Sequence, residues 1–247
     1  MSTVDIALEA STRSASVAAC VLSDQGPERP AQRFGARNLD PEQAHASDLL
    51  PALDDLLAEL GCKPSDIGLV CVGLGPGSYT GVRVAIALAK GIAFGGHQRI
   101  CGVPSIEAEL FEQLRPGEVG SALRDARGGR YTLGTYRRGE DGIEQAIAPA
   151  AVPVAQLAGA LRTARSDAST STVLLAEPGL PEALTKSGVL PGDWFSDPGL
   201  DLRELQPATA DAVLTLGRAR STPAEMASHR EVLPLYLAEF VVRPRSR

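Results

Sequence analysis

The sequence predicts a mixed α/β fold in which helices pack on a sheet. Three observations carry that expectation. Short strand-like runs open the chain at residues 4–8 and Ser16–Leu22, joined by the polar turn Thr12-Arg13-Ser14. A helical stripe of Leu49, Leu50, Leu53, Leu56, Leu57 and Leu60 follows, closed by Gly61. An apolar run at 68–72 then leads through a glycine-rich turn into a second helix and a further strand, Arg99–Val103. Strands, helix, strand, helix, strand is the order of helices layered on a sheet.

Each element has a local reason. A third strand is expected near 29–35. Asp40-Pro41-Glu42-Gln43 reads as a helix start, with Asp as N-cap, Pro at the first helical position and Gln three residues after the cap. Pro51 inside the leucine stripe should kink or restart that helix. The second helix is expected over 82–94. After Pro104 a helix runs to about Leu114, and Arg115-Pro116-Gly117 is a candidate hinge. Strands are expected at 120–126, 130–137 and 142–148, a helix at 153–164, a short strand at 173–176 and a helix at 209–219. The segment 166–172 reads as a small polar linker and 177–201, rich in Pro and Gly, is not assigned. The basic end, 243–247, is expected to fray. Both halves begin with strands and continue into helices, which suggests two similar lobes, divided as 1–105 and 106–247, with the last helix packing back on the first lobe.

Composition narrows the function classes. The chain has 247 residues, 44% hydrophobic and 22% charged, an ordinary globular balance. Its formal net charge is -6, so it is a poor candidate to hold nucleic acid alone. Cys20, Cys62, Cys71 and Cys101 are scattered without a C-x-x-C pair and read as free thiols in a reducing cytoplasm. No apolar run reaches membrane-spanning length and no signal peptide opens the chain, so a cytoplasmic protein is expected.

The glycine-rich turn, Gly73-Leu74-Gly75-Pro76-Gly77-Ser78-Tyr79-Thr80-Gly81, is the most informative segment. It lacks the Gly-Lys-Ser/Thr of a phosphate loop. It also fails the dinucleotide fingerprint, because Ser78 and Thr80 stand where glycine is required. A tight turn with glycines for positive φ and close packing is the preferred reading. The helix behind it is apolar on all sides, with only Arg83 and Lys90 charged. Such a helix is buried all round, either within its own chain or partly by a partner subunit. His45, His97 and His229 have no helical i, i+3 or i, i+4 relation, so no metal site is encoded locally. Ser78 has no base beside it in sequence, and no set of residues composes a catalytic constellation.

The segment GLGPGSYTGVRVAIALAKG, Gly73 to Gly91, resembles the signature of the TsaB/YeaZ family, a G-x-GPGS-[FY]-TG-[VL]-R turn running into a small-residue helix. His45 to Pro51, Gly102 to Ala108, Asp125-Ala126-Arg127 with Tyr131, and Pro234-Leu235-Tyr236-Leu237 resemble further family segments across the chain. The resemblance implies a two-lobed actin-like ATPase fold of the ribonuclease H-like type. It implies a non-catalytic scaffold that binds a TsaD-like transferase, joined by a TsaE-like P-loop ATPase. It implies a role in making threonylcarbamoyladenosine (t6A) at adenosine 37 of tRNA, with tRNA held only through the complex. No cofactor is expected in the chain, and any nucleotide is expected at a shared interface. A homodimer in isolation is compatible with the same apolar face. The alternative reading is a glycoprotease-like metallopeptidase or an actin-like ATPase acting alone. The expected partner surface comprises His45, Leu49, Leu53 and Leu56 with Val82, Arg83, Ile86, Ala89 and Lys90. Gly73, Gly75, Pro76, Gly77, Ser78, Thr80 and Gly81 are expected to form a structural turn. One departure stands out: where the family's first strand carries Asp, this chain has Glu9, which displaces a carboxylate aimed at a metal–phosphate by one methylene.

Overall fold

A computed structural model describes residues 3–22, 33–40, 42, 46–95, 98–166, 172–220 and 231–237. The first sheet holds β1 (Thr3–Glu9), β2 (Ser16–Leu22), β3 (Arg33–Asn38), β4 (Ile67–Gly73) and β5 (Arg99–Val103), in the order β3-β2-β1-β4-β5. β1, β2 and β3 form an antiparallel meander, while β4 and β5 run parallel to β1. Parallel neighbours need crossovers, supplied by α1 (Leu49–Glu59) and α2 (Tyr79–Phe94); α3 (Ser105–Gln113) leaves β5.

The second sheet repeats this plan. It holds β6 (Val119–Arg127), β7 (Arg130–Arg138), β8 (Ile143–Pro153), β9 (Thr172–Ala176) and β10 (Leu200–Glu204), in the order β10-β9-β6-β7-β8. Again three antiparallel strands are followed by two parallel ones. The crossovers are α4 (Val154–Ser166) and α5 (Leu180–Lys186), and α6 (Ala210–Arg220) leaves β10.

Five layers result. α1 and α2 cover one face of the first sheet, where Leu53, Leu57 and Ala89 meet Ile6, Leu8 and Val70. α4 and α5 cover the outer face of the second sheet through Leu157, Leu161 and Leu184. Between the sheets lie α3 and α6, each packed on the other half's sheet: α3 on β6, β7 and β8, and α6 on β1, β2, β4 and β5. Gly217 of α6 lies so close to Cys71 of β4 that a β-carbon there would collide with the sulfur. Asp5 on β1 pairs with Arg218 on α6 at 3.1 Å, and Ser16 Oγ accepts a hydrogen bond from Ala210 N at 2.9 Å.

Several boundaries differ from the sequence expectation for identifiable reasons. β3 starts four residues later than expected, at Arg33, and residues 29–32 lie outside the described set. Asp40 Oδ1 accepts from Glu42 N at 2.9 Å, but the α-helix begins at Leu49 after a short 3₁₀ turn, Ala46–Asp48. Pro51 therefore lies in the first turn of α1, where its missing N–H costs nothing. α2 starts three residues earlier than expected, because Ser78 Oγ caps it by accepting from Gly81 N at 3.1 Å. β8 continues to Pro153, displacing the expected helix start to Val154. The unassigned segment 177–201 contains α5, a 3₁₀ turn at Trp194–Ser196 and the start of β10.

Candidate functional site

The glycine turn folds back on the end of β1 and is held by backbone bonds. Leu74 N donates to Val103 O at 2.9 Å, Ser78 N to Ser11 O at 2.6 Å and Ser105 N to Gly75 O at 2.8 Å. Gly75 has φ +83° and precedes Pro76 through a cis peptide bond. A β-carbon on Gly77 or Gly81 would collide with the carbonyl oxygen of Ser11 or Ala10. Thr80, with Thr12, Arg13 and Ser47, lines an open cavity of about 560 Å³ at the start of α2. Of the seven turn residues named from the sequence, Gly73, Gly75 and Gly81 are buried, Pro76 is half-buried, and Gly77, Ser78 and Thr80 are exposed.

Beneath the turn lies Glu9, fully buried. Its Oε1 accepts from Ser11 N at 2.5 Å, and its Oε2 from Ser105 Oγ at 2.8 Å. Ser105 Oγ in turn accepts from Gly75 N at 3.0 Å. A β-carbon on Gly73 would run into Glu9 Oε2, so glycine is what admits the longer acid here. Burial pushes the Glu9 carboxyl above its ordinary range, opposed by its bonds to Ser11 and Ser105. Between the sheets Glu109 on α3 pairs with Arg124 on β6. Burial, which outweighs Arg124, pushes Glu109 up to about 8, and the nearby Glu9 adds to the rise.

The C-terminal segment also joins this site. Val232 is buried in the first core and Leu235 N donates to Leu74 O at 2.8 Å. The Tyr236 ring stacks on Tyr79 at 5.7 Å, and the Arg83 guanidinium lies 5.0 Å from the Tyr79 ring while bonding its hydroxyl at 2.5 Å. Sequence reading marked both segments but did not connect them, since nothing local links residues 74 and 235.

The expected partner surface needs correction. Leu49, Leu53, Leu56, Val82, Ile86 and Ala89 are all buried among the chain's own core residues, so they pack on the first sheet and present nothing outward. Arg83 is exposed, Lys90 is half-buried, and His45 lies outside the described residues, as do His97 and His229. The outward face of the helix pair is instead Leu50, Asp54, Ile92 and Phe94, the last 85% exposed. Leu50, Asp54, Gly91 and Ile92 help line an apolar groove of about 360 Å³ between the helices. Among the described residues no group of three or more His, Cys, Asp or Glu side chains could hold a metal ion, and no helix is long and apolar enough to cross a membrane.

Two copies of one five-stranded plan, with α3 and α6 exchanged between the sheets, define a two-lobed α/β protein of the actin-like fold. Residues 40–188 match the family model described as "TsaD: tRNA N6-adenosine threonylcarbamoyltransferase". The chain is 35% identical over 101 residues to the tRNA threonylcarbamoyladenosine biosynthesis protein TsaB of Escherichia coli, a stretch covering 40% of this chain and 44% of that one. To the Bacillus subtilis protein of the same name it is 33% identical over 103 residues, 42% of this chain and 45% of the relative. The matched stretch thus spans less than half the length of these curated relatives. YeaZ from Pseudomonas aeruginosa superposes with a TM-score of 0.73 at 25% identity, over 95% of this chain and 100% of that one. The chain belongs to the family that this model describes and, within it, to the TsaB/YeaZ proteins.

Proposed function

We propose that the chain is a non-catalytic scaffold subunit of the machinery that makes t6A at adenosine 37 of tRNA, and that it binds and steadies a TsaD-like transferase. The observation that carries this reading is the apolar groove between α1 and α2, lined by Leu50 and Ile92, together with the exposed ring of Phe94 near the end of α2. A large aromatic left in water, on a helix that also lines an apolar groove, is suited to burial by another protein. The names of the curated relatives supply the pathway.

The absence of catalysis is supported by Glu9. In an actin-like fold the acid ending this strand would face a metal-bound phosphate. Here both carboxylate oxygens accept hydrogen bonds from Ser11 and Ser105 under a closed glycine turn, an arrangement that does not fit a metal–nucleotide. On this reading the chain holds no cofactor of its own, and a nucleotide has a place only at the surface shared with the transferase. A TsaE-like P-loop ATPase completes the assembly, tRNA is held through the complex, and the site of action is the cytoplasm. In isolation a second copy of the chain occupies the same face.

The test is co-elution with a purified TsaD-like transferase, using wild type and Phe94→Glu. The mutation adds a charge to an exposed position, so stability should change by less than about 0.5 kcal/mol. Binding should weaken at least about tenfold, as for the loss of an aromatic anchor. A folded Phe94→Glu that binds as tightly as wild type places the interface elsewhere.

A further inference from the structure

The tip of the β6–β7 hairpin is built to present two arginines. Gly128 and Gly129 are its central residues, at φ +63° and +72°, the geometry of a two-residue type I′ hairpin. The ladder pairs Arg127 with Arg130 and skips a residue between Asp125 and Arg127, so β6 carries a bulge there. Bulges re-aim side chains at the ends of strands. Arg127 itself has φ +65° and is the sole non-glycine with positive φ among the described residues. A long side chain persists in that region only where its surroundings fix it. Here Arg127 N donates to Asp125 Oδ1 at 2.7 Å, Asp125 N to Glu177 Oε2 at 3.0 Å, and Val154 N to Gly129 O at 2.8 Å.

These bonds also engage one oxygen of each of the carboxylates Asp125 and Glu177 with backbone amides. Arg124, Arg203, Arg218 and Arg220 each pair with an acid, whereas no acid among the described residues pairs with Arg127 or Arg130. Residues 125–130 are all exposed, and a β-carbon on Gly128 or Gly129 would meet nothing within 4 Å. The tip is therefore a fixed, open, cationic finger on a chain of net charge -6.

We infer that Arg127 and Arg130, with the N–H groups of Gly128 and Gly129 between them, contact backbone phosphates of tRNA when the chain sits in its complex. Guanidinium forks match phosphate oxygens bidentately, and successive turn amides form a concavity that suits an anion. No group at the tip suits the reading of a base edge, so the contact positions RNA without selecting sequence. Two phosphate contacts hold no RNA alone and add to affinity where another subunit supplies the rest. The identity of the RNA rests on the function proposed above.

The test uses the reconstituted complex and unmodified tRNA across a salt series. Arg127→Glu/Arg130→Glu is compared with Arg162→Glu/Lys186→Glu, which changes net charge equally at exposed positions elsewhere. The tip variant should assemble normally and bind tRNA about tenfold more weakly. Its plot of log affinity against log salt should be shallower by roughly 1.4–1.8, at 0.7–0.9 per lost phosphate contact. KM for tRNA should rise with kcat unchanged, and the control pair should match wild type. Arg127→Gly, which suits the positive φ and removes one charge, should give about half the change in slope. Equal affinity and slope for both pairs in an active complex overturns the inference. Failure of the tip variant to assemble also overturns it, marking the tip as a protein contact. Full modification by a complex lacking this chain sinks the functional reading instead, and this inference with it.

Discussion

At the residue scale, Glu9 stands where the resemblance to the TsaB/YeaZ family leads one to expect Asp. The sequence made the substitution legible, but not its consequence. The acid is enclosed because Gly73 leaves room for the extra methylene and Ser105, ninety-six residues away, donates to it. Gly73→Ala should therefore destabilise the chain by about 1–3 kcal/mol, the usual cost of overpacking, read as a shift in the denaturant midpoint with unchanged slope. Glu109 gives a pH signature. In the folded chain burial raises its carboxyl to about 8, from an ordinary value of 4.5. Between those values the native state holds more protons than the unfolded one. The stabilisation from this group is complete below pH 4.5 and is lost as pH rises toward 8, by at most about 1.4 kcal/mol per pH unit. Denaturation midpoints measured from pH 5 to 8 should fall, and Glu109→Gln should flatten the decline. A wild-type slope of zero contradicts the assignment.

At the scale of elements, the leucine stripe of α1 and the glycine turn were readable because period and turn chemistry are local. The outward face of α2 was not. Val82, Val84, Ile86, Leu88 and Ile92 spread round the helix and mask its solvent side, which only Arg83 and Lys90 mark, on the stripe that also carries the exposed Ala87 and Phe94. The six apolar partner residues expected from sequence proved to be core, which changes the useful experiment. Ala89 is fully buried, so Ala89→Glu would unfold the chain through an unpaired buried charge and would report nothing about partners, whereas Phe94→Glu separates the two. α5 and β10 are not legible because seven and five residues, flanked by Pro and Gly and half exposed, give too little periodicity. The docking of Leu235 on Leu74 and of Tyr236 on Tyr79 is a long-range pairing without a local signal.

At the scale of the whole molecule, the two halves read in sequence only as strands followed by helices. The structure gives both the same strand order and interleaves them, with α3 and α6 each serving the other sheet. The interior between the sheets is filled by the fully buried Tyr136, by Glu109 with Arg124 and by Asp5 with Arg218. It joins the lobes by packing and by contacts between polar side chains, and leaves the outer α1–α2 groove open. The central claim is that the chain works by being bound, as the support of a transferase. The most direct measurement is t6A formation on tRNA by purified TsaD-like transferase and TsaE-like ATPase, with and without this chain. The account predicts that modification is lost without the chain and restored by wild type, but not by a folded Phe94→Glu variant at equal concentration. Full modification in its absence would contradict the account.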